Sequence, residues 1–253
     1  MFRVIYVLKK PTMIKSIDNV YPVSHNQAAA MNGFKSFGFE ICFYNDEKSI
    51  DYQQGDVVVG FLGDTLRFFK NNNIDINLVN FPKCFNEYYK RSIIKSFINE
   101  YIEDYPIFVK PVLTKLFKAK TVYSNVELEQ LLKEYGNVEC YFEGVVSIKA
   151  EWRVFVYYGK ILGIYRYTDI YYPYDYNFIA NLLETSYNMP NAYSIDIALT
   201  KEGDYLVIEV NDGWAIRRYG LNDDNYAKFL YARFAEIFNF KDVLIIAGFL
   251  SQQ

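Results

Sequence analysis

From residue 2 to residue 81 short apolar, β-branched runs alternate with stretches of helical period, and this alternation constrains the fold more than any other feature of the chain. The runs at 2–7, 39–44, 57–61 and 76–81 read as strands, and 27–37 and 65–71 as helices. Strands separated by helices return in the same direction and pair in parallel, so residues 1–83 are expected to form a small α/β unit. Neither GxGxxG nor GxxxxGK[ST] opens its helices, so it has no glycine-rich phosphate cradle.

The pattern then changes. Phe85, Tyr88, Tyr89, Ile93, Ile94, Phe97, Ile98 and Tyr101 recur at helical spacing, which predicts a connecting helix over 84–102. Strands at 107–112 and 116–123, pairing antiparallel, a helix at 126–135 and a strand at 138–142 make a compact α+β unit. Two hairpins follow, 152–157 with 161–167 around Tyr158-Gly159-Lys160, and 193–199 with 205–210. Helices are expected at 177–187 and 224–238.

Composition removes several function classes. With 253 residues, 51% of them hydrophobic, the chain can bury a sizeable core. A net charge of −3 without a long Lys/Arg run leaves no source for the phosphate attraction that drives nucleic-acid binding. Cys42, Cys84 and Cys140 are widely separated and show no CxxC spacing, which fits a reducing, cytoplasmic setting rather than a disulfide or zinc framework. The first eleven residues read as a short strand rather than a signal peptide, and the apolar run at 243–250 is too short to span a bilayer, so no membrane partner is expected. The lone His25, read as a turn residue before a helix starting near Asn26, disfavours imidazole-based triads and multi-histidine metal sites.

Three clusters are candidates for chemistry. Asp196 stands in one strand of the last hairpin, and Glu209 and Asn211, two apart, project to one face of the next. Two carboxylates and an amide oxygen suit Mg²⁺, which takes hard donors and completes its shell with water and phosphate. The plainer account is that polar residues end two strands; Ile195, Ile197, Val207, Ile208 and Val210 weaken it, because a charge in so apolar a setting needs a partner. Lys110 interrupts the apolar run Ile107-Phe108-Val109 before Pro111, where it either meets an anion such as a nucleotide phosphate, with Lys115 approaching the same point, or lies in solvent on an edge strand. Arg153 and Arg166, on paired strands, are expected to reach a common face and clamp a carboxylate or phosphoryl group, unless Glu151 simply pairs with an arginine across the strands.

Taken in order, Phe108-Val109-Lys110-Pro111, the segment 115–122, Val138-Glu139-Cys140-Tyr141, Glu151-Trp152-Arg153, Ile195-Asp196 and Val207 to Asn211 resemble the ATP-grasp superfamily. The likeness is greatest to its clade of small bacterial and viral proteins marked by two arginines and a lysine. Phe81-Pro82 through Arg91 is similar to that clade's entry junction, and Asp212-Gly213-Trp214 with Tyr219-Gly220-Leu221 to its C-terminal signature. The resemblance spans roughly 81–238; the N-terminal unit resembles the family only in its α/β pattern. It implies an α+β fold of two lobes, about 104–145 and 146–240 within 84–253, sandwiching ATP and preceded by a pre-ATP-grasp α/β domain at 1–83.

By the same resemblance Lys110 and Lys115 contact ATP phosphates, with Lys118 and Lys120 competing for the second place and Ala119 standing where the pattern has glycine. Glu139, Cys140 and Tyr141, as part of a hinge running to Phe142, offer backbone groups to adenine. Glu143, or else Glu139, meets the ribose; Glu151 joins the nucleotide-binding set. Arg153 and Arg166 hold the γ-phosphoryl group or the acceptor carboxylate, and Asp196, Glu209 and Asn211 ligate Mg²⁺, with Mn²⁺ as a substitute. The implied reaction is ligation of a carboxylate to an amine, on a small molecule, peptide or protein, through an acyl-phosphate. Phosphotransfer that stops at the phosphorylated product, and a nucleotide-binding regulatory module without turnover, are the alternatives.

Overall fold

The computed structural model describes residues 3–9, 14–15, 20–21, 23–76, 79–102, 104–112, 116–167 and 171–245. Its N-terminal part runs β1 (Val4–Leu8), β2 (Ile14–Lys15), β3 (Val20–Tyr21), α1 (His25–Ser36), β4 (Glu40–Tyr44), β5 (Val57–Val59) and α2 (Leu62–Asn71). β1 lies between β4 and β5 and is parallel to both, as the alternation predicts, while β2 and β3 form a separate antiparallel pair. His25 is the first residue of α1 rather than a turn residue before it. Ser24 caps this helix: its hydroxyl accepts from Gln27 N, and its own N–H donates to Gln27 Oε1 at 2.8 Å. The α2 start is fixed similarly, Phe61 N donating to Asp64 Oδ2 at 3.3 Å.

The junction departs from expectation. Residues 79–82 form no strand, 77 and 78 lie outside the described residues, and Asn80 C=O accepts a single bond from Val210 N–H. In place of a helix over 84–102 there is a 3₁₀ turn, the one-turn α3 (Asn86–Tyr89), β6 (Ile93–Phe97) and a second 3₁₀ turn. Lys90, left-handed at φ 49°, ends α3, and β-branched Ile93 and Ile94 enter a sheet. The helical spacing has another origin: Phe85 and Tyr89 fill one core, whereas Ile98 and Tyr101 fill the next.

β7 (Ile107–Pro111), β8 (Lys120–Val122), α4 (Asn125–Tyr135) and β9 (Glu139–Gly144) complete the smaller lobe, an antiparallel sheet in the order β6-β9-β7-β8. The strand expected over 116–123 is reduced to β8. The larger lobe carries β10 (Ile148–Tyr157), β11 (Lys160–Arg166), α5 (Tyr176–Thr185), β12 (Ala192–Thr200), β13 (Tyr205–Asp212) and α6 (Asp223–Ile237), with antiparallel sheet order β11-β10-β12-β13. Tyr158 and Gly159, at φ 47° and 71°, close the first hairpin in the primed turn that suits strand twist.

Two cores sandwich this sheet. On one face Trp152, Val154, Ile195, Val207 and Val210 pack with Ile179 and Leu182 of α5. On the other, Phe155 and Phe229 join Phe34, Phe68 and Phe69 of the N-terminal unit in one continuous core. Each fully buried phenylalanine contributes about 1.5–3 kcal/mol, so this shared core holds the N-terminal unit firmly against the sheet.

Candidate active site at the cleft between the sheets

Arg153, Asp196 and Glu209 lie opposite one another in a cross-strand row over β10, β12 and β13. A β-bulge at Ile208 produces that row. Asp196 pairs with Glu209 but Ile197 with Val207, so Val207 and Glu209, although two apart, face opposite sides of the sheet. Val207 enters the core, and Glu209 and Asn211 face the cleft with Asp196.

Asp196 is 2% exposed and Arg153 5%, and the bidentate pair between them compensates both buried charges. Arg153 Nε donates to Asp196 Oδ1 at 2.8 Å and Nη2 to Oδ2 at 2.6 Å. Tyr167 OH and Asn211 Nδ2 also donate to Oδ2, at 2.9 and 3.2 Å. The Arg153 guanidinium carbon lies 5.3 Å from the Tyr167 ring centroid and 4.7 Å from that of Tyr219, which fix its plane. Glu209 Oε1 accepts from Asn211 Nδ2 at 3.1 Å, and Oε2 accepts from Lys110 Nζ across the cleft. Burial raises the Glu209 carboxyl, but Lys110 outweighs it and holds the group below its ordinary range. Burial, reinforced by Asp196 and Glu209, pushes Glu151 up to about 7; it has no ion pair among the described residues, so the cross-strand pairing of Glu151 with an arginine is absent there.

Other expected residues fall elsewhere. Arg166 pairs with Trp152, whereas Tyr165 pairs with Arg153. The period of two therefore puts Arg166 on the face opposite Arg153, where it is exposed and lies over the Tyr171 ring; the two arginines share no face. Glu139, Cys140 and Tyr141 lie in β9, an interior strand whose backbone pairs with β6 on one side and β7 on the other, leaving no free edge for adenine. Cys140 is buried, and Glu139 pairs with Lys95 at 3.0 Å. Glu143 is buried against Arg91 at 2.6 Å rather than open to a ribose. Lys115 lies outside the described residues; Lys118 and Lys120 are exposed.

Arg91 is the functional-looking residue that the pattern did not single out. It donates to Glu143 of the smaller lobe and to the carbonyls of Val207 and Ile208, the residues at the bulge, at 2.7 and 2.6 Å. Its signals were its place at the end of Phe81-Pro82 through Arg91, the stretch similar to the clade's entry junction, and its position two residues before the apolar Ile93-Ile94.

Next to this row a cavity of about 490 Å³ opens between the sheet and the N-terminal unit, lined among others by Gln27, Phe61, Glu151, Arg153, Glu209 and Trp214. It lies where parallel sheets commonly take ligands, beyond the carboxyl end of a strand, here β5. A Cβ at Gly213 would sit 2.3 Å from Ala192 O, so only glycine lets the chain leaving β13 turn close under β12 and bring Trp214 to the cavity.

Among the described residues no three His, Cys, Asp or Glu side chains form a metal cage by themselves. The donor set nonetheless fits Mg²⁺, which keeps water and phosphate in its shell: Glu209, Asp196 and Asn211 lie within hydrogen-bond reach of one another, and turning over the Asn211 amide presents its oxygen where its nitrogen now bridges the carboxylates.

A family model matches residues 88–229, more than half of the chain: the ATP-grasp domain, family 2 of the clade marked by two arginines and a lysine. No curated protein matches the chain. Among solved structures, it is similar to D-alanine–D-alanine ligase from Bacillus anthracis complexed with ATP, at 16% identity and TM-score 0.53, over 94% of this chain and 95% of that one. It is also similar to L-amino acid ligase from Bacillus licheniformis (11%, TM-score 0.57, 92% and 75% covered). A third is the ATP-grasp ligase PsnB complexed with precursor peptide PsnA2 and AMPPNP (11%, TM-score 0.51, 91% and 97% covered). At these identities the likeness is one of fold.

Proposed function

Because the chain belongs to the ATP-grasp domain family, in family 2 of the two-arginine, one-lysine clade, we propose that it is an ATP- and Mg²⁺-dependent carboxylate–amine ligase that forms an amide or peptide bond through an acyl-phosphate. The observation that carries this reading is the Lys110–Glu209 pair, which faces a cation of the smaller lobe with an acidic group of the larger across the cleft. Lys110 would exchange Glu209 for nucleotide phosphate, and Glu209, Asp196 and Asn211 are the residues that would hold Mg²⁺. When bound, Mg²⁺ neutralises phosphate charge.

Phosphoryl transfer needs positioning and charge compensation more than covalent help from the protein. A carboxylate oxygen attacks the γ-phosphorus and ADP leaves; an amine nitrogen then attacks the acyl carbon, and phosphate leaves with the proton that the nitrogen gives up. Arg153, its plane fixed by Asp196 and two tyrosine rings, keeps Nη1 toward the cavity edge with only a 3.4 Å bond to Arg217 O, a donor ready for the transferring group. No step needs imidazole, in keeping with the single histidine. Lys115 is the second phosphate lysine by resemblance alone.

The test is ADP release. Formation only when a carboxylate and an amine are both supplied supports ligation, with acceptors ranging from free amino acids to peptides; formation with the carboxylate alone identifies a phosphotransferase. Thermal denaturation with millimolar Mg-ATP is the first check, because a ligand that binds only the native state raises its stability.

A further inference from the structure

β11 is an outer strand of the larger sheet, and among the described residues it pairs with β10 alone. Its side chains are anchored on both faces: Ile161 and Ile164 pack with the α5 core, Leu162 and Tyr165 with the core shared with the N-terminal unit. The outer backbone is what stays open. Tyr167 N–H bonds inward to Glu151 O at 2.9 Å, so by strand alternation Arg166 and Ile164 turn their N–H and C=O groups outward. The middle of this edge, Ile161 to Tyr165, carries no charge, and an uncharged edge with open backbone groups is a template for another chain.

The surface at one end of this edge is cationic and aromatic. The Arg166 guanidinium carbon lies 5.7 Å from the Tyr171 ring centroid, and Lys149 Nζ lies 4.5 Å from that of Tyr172, so two cations are held over consecutive rings. Both are exposed and neither has an ion pair among the described residues, although the chain carries a net charge of −3. Tyr171 is 76% exposed and Tyr176 60%, an apolar area of the kind that marks an interaction site. Charge decides what fits there. A second copy, paired antiparallel about Gly163, would set Lys160 of one chain opposite Arg166 of the other, like charge against like. Nucleic acid has no peptide groups to offer the edge, and the chain has no long Lys/Arg run to hold it.

We infer that β11 receives an extended, acidic peptide segment of a partner, which adds a strand to the larger sheet and sets its carboxylates on Arg166 and Lys149. Main-chain bonds along the edge supply affinity, and the two cations select for acidic side chains. β11 leads into Tyr167, whose hydroxyl donates to Asp196, so the docked segment reaches the border of the candidate site. The inference goes beyond the ligase reading and does not depend on it, because it uses no contact with nucleotide.

The probe is a short peptide of alternating Glu and Val, blocked at both ends and carrying a fluorophore, titrated into the intact protein without nucleotide and followed by anisotropy. Saturable binding that weakens as salt rises is expected. The same peptide with Lys in place of Glu, and the Glu peptide N-methylated at every residue so that it cannot pair, are each expected to bind at least about ten-fold more weakly. Arg166→Glu and Lys149→Glu alter exposed side chains, so each is expected to keep the wild-type melting temperature and to weaken the Glu peptide by about ten-fold. The double variant is expected to prefer the Lys peptide. No saturable binding, equal binding of either control peptide, or no effect of the charge reversals overturns the inference. So does displacement of the probe by oligouridylate, which identifies a nucleic-acid surface, or by self-association of the protein, which identifies a second copy as the occupant. Absence of a Mg-ATP thermal shift strikes the ligase reading and leaves each of these outcomes as decisive as before.

Discussion

Lys110 of β7 and Glu209 of β13 are 99 residues apart in sequence and form an ion pair that spans the cleft between the two antiparallel sheets. Both side chains are about a quarter exposed, so the pair is accessible to exchange. In the structure each satisfies the other; on the proposed function, Mg-ATP would offer the lysine a phosphate and the carboxylate a cation.

Lys110→Ala is therefore expected to lower ATP turnover by about 100-fold or more, and Glu209→Gln likewise, each measured as ADP release from protein of native melting behaviour. Without nucleotide the loss of stability is about 1 kcal/mol, as for a pair open to solvent. Its pH dependence has a definite sign. Lys110 holds Glu209 below its ordinary value of 4.5, so the stability it contributes is present above that value and disappears as pH falls through the folded value. Melting curves of the wild type and Lys110→Ala should diverge at neutral pH and converge in acid.

Arg153→Ala should behave differently, because Asp196 is left buried with an uncompensated charge. A loss of about 3–5 kcal/mol is expected, read from urea midpoints at constant m-value. Combining it with Asp196→Asn should recover part of that loss, since the two residues share a bidentate contact and their effects cannot add.

The parallel N-terminal unit, both hairpins and the convergence of Asp196, Glu209 and Asn211 were legible because periods of two and of about 3.6 are written in single segments. What escaped depends on more than one segment. The run Phe85 to Tyr101 has helical spacing because two different cores alternate along it, and pattern alone cannot distinguish that from one amphipathic face. The bulge at Ile208 broke the simple alternation, although Val207 and Val210, three apart and both in the core, carried its trace. The face of Arg166 depends on one residue of register, and the interior place of β9 on its pairing with β6, neither of which is written in a single segment.

Glu151 provides a test in pH alone. Burial first, then Asp196 and Glu209, raise it from 4.5 to about 7. The folded state thus binds this proton more tightly than the unfolded chain, so the contribution to stability is full below pH 4.5 and is lost as pH rises through about 7. Glu151→Gln removes that dependence. In the absence of ligands the variant should equal the wild type in acid and exceed it above neutrality by up to about 3 kcal/mol, measured by denaturation across pH.

Arg91 is a positioning residue whose role is separable from nucleotide contact. Its guanidinium joins Glu143 of the smaller sheet to the carbonyls of Val207 and Ile208, and the bulge at those carbonyls is what turns Glu209 toward the cleft. Arg91→Lys keeps the charge but cannot reproduce a fork that meets a carboxylate and two carbonyls together. The expected result is a fall in kcat of about 10-fold or more from misalignment of Glu209. Glu143→Gln, which retains an acceptor for Arg91 and leaves the carbonyl bonds intact, should be milder. A purely structural role predicts instead that both variants lose stability while the protein that remains folded turns over at the wild-type rate, so active-site titration alongside kcat decides between them.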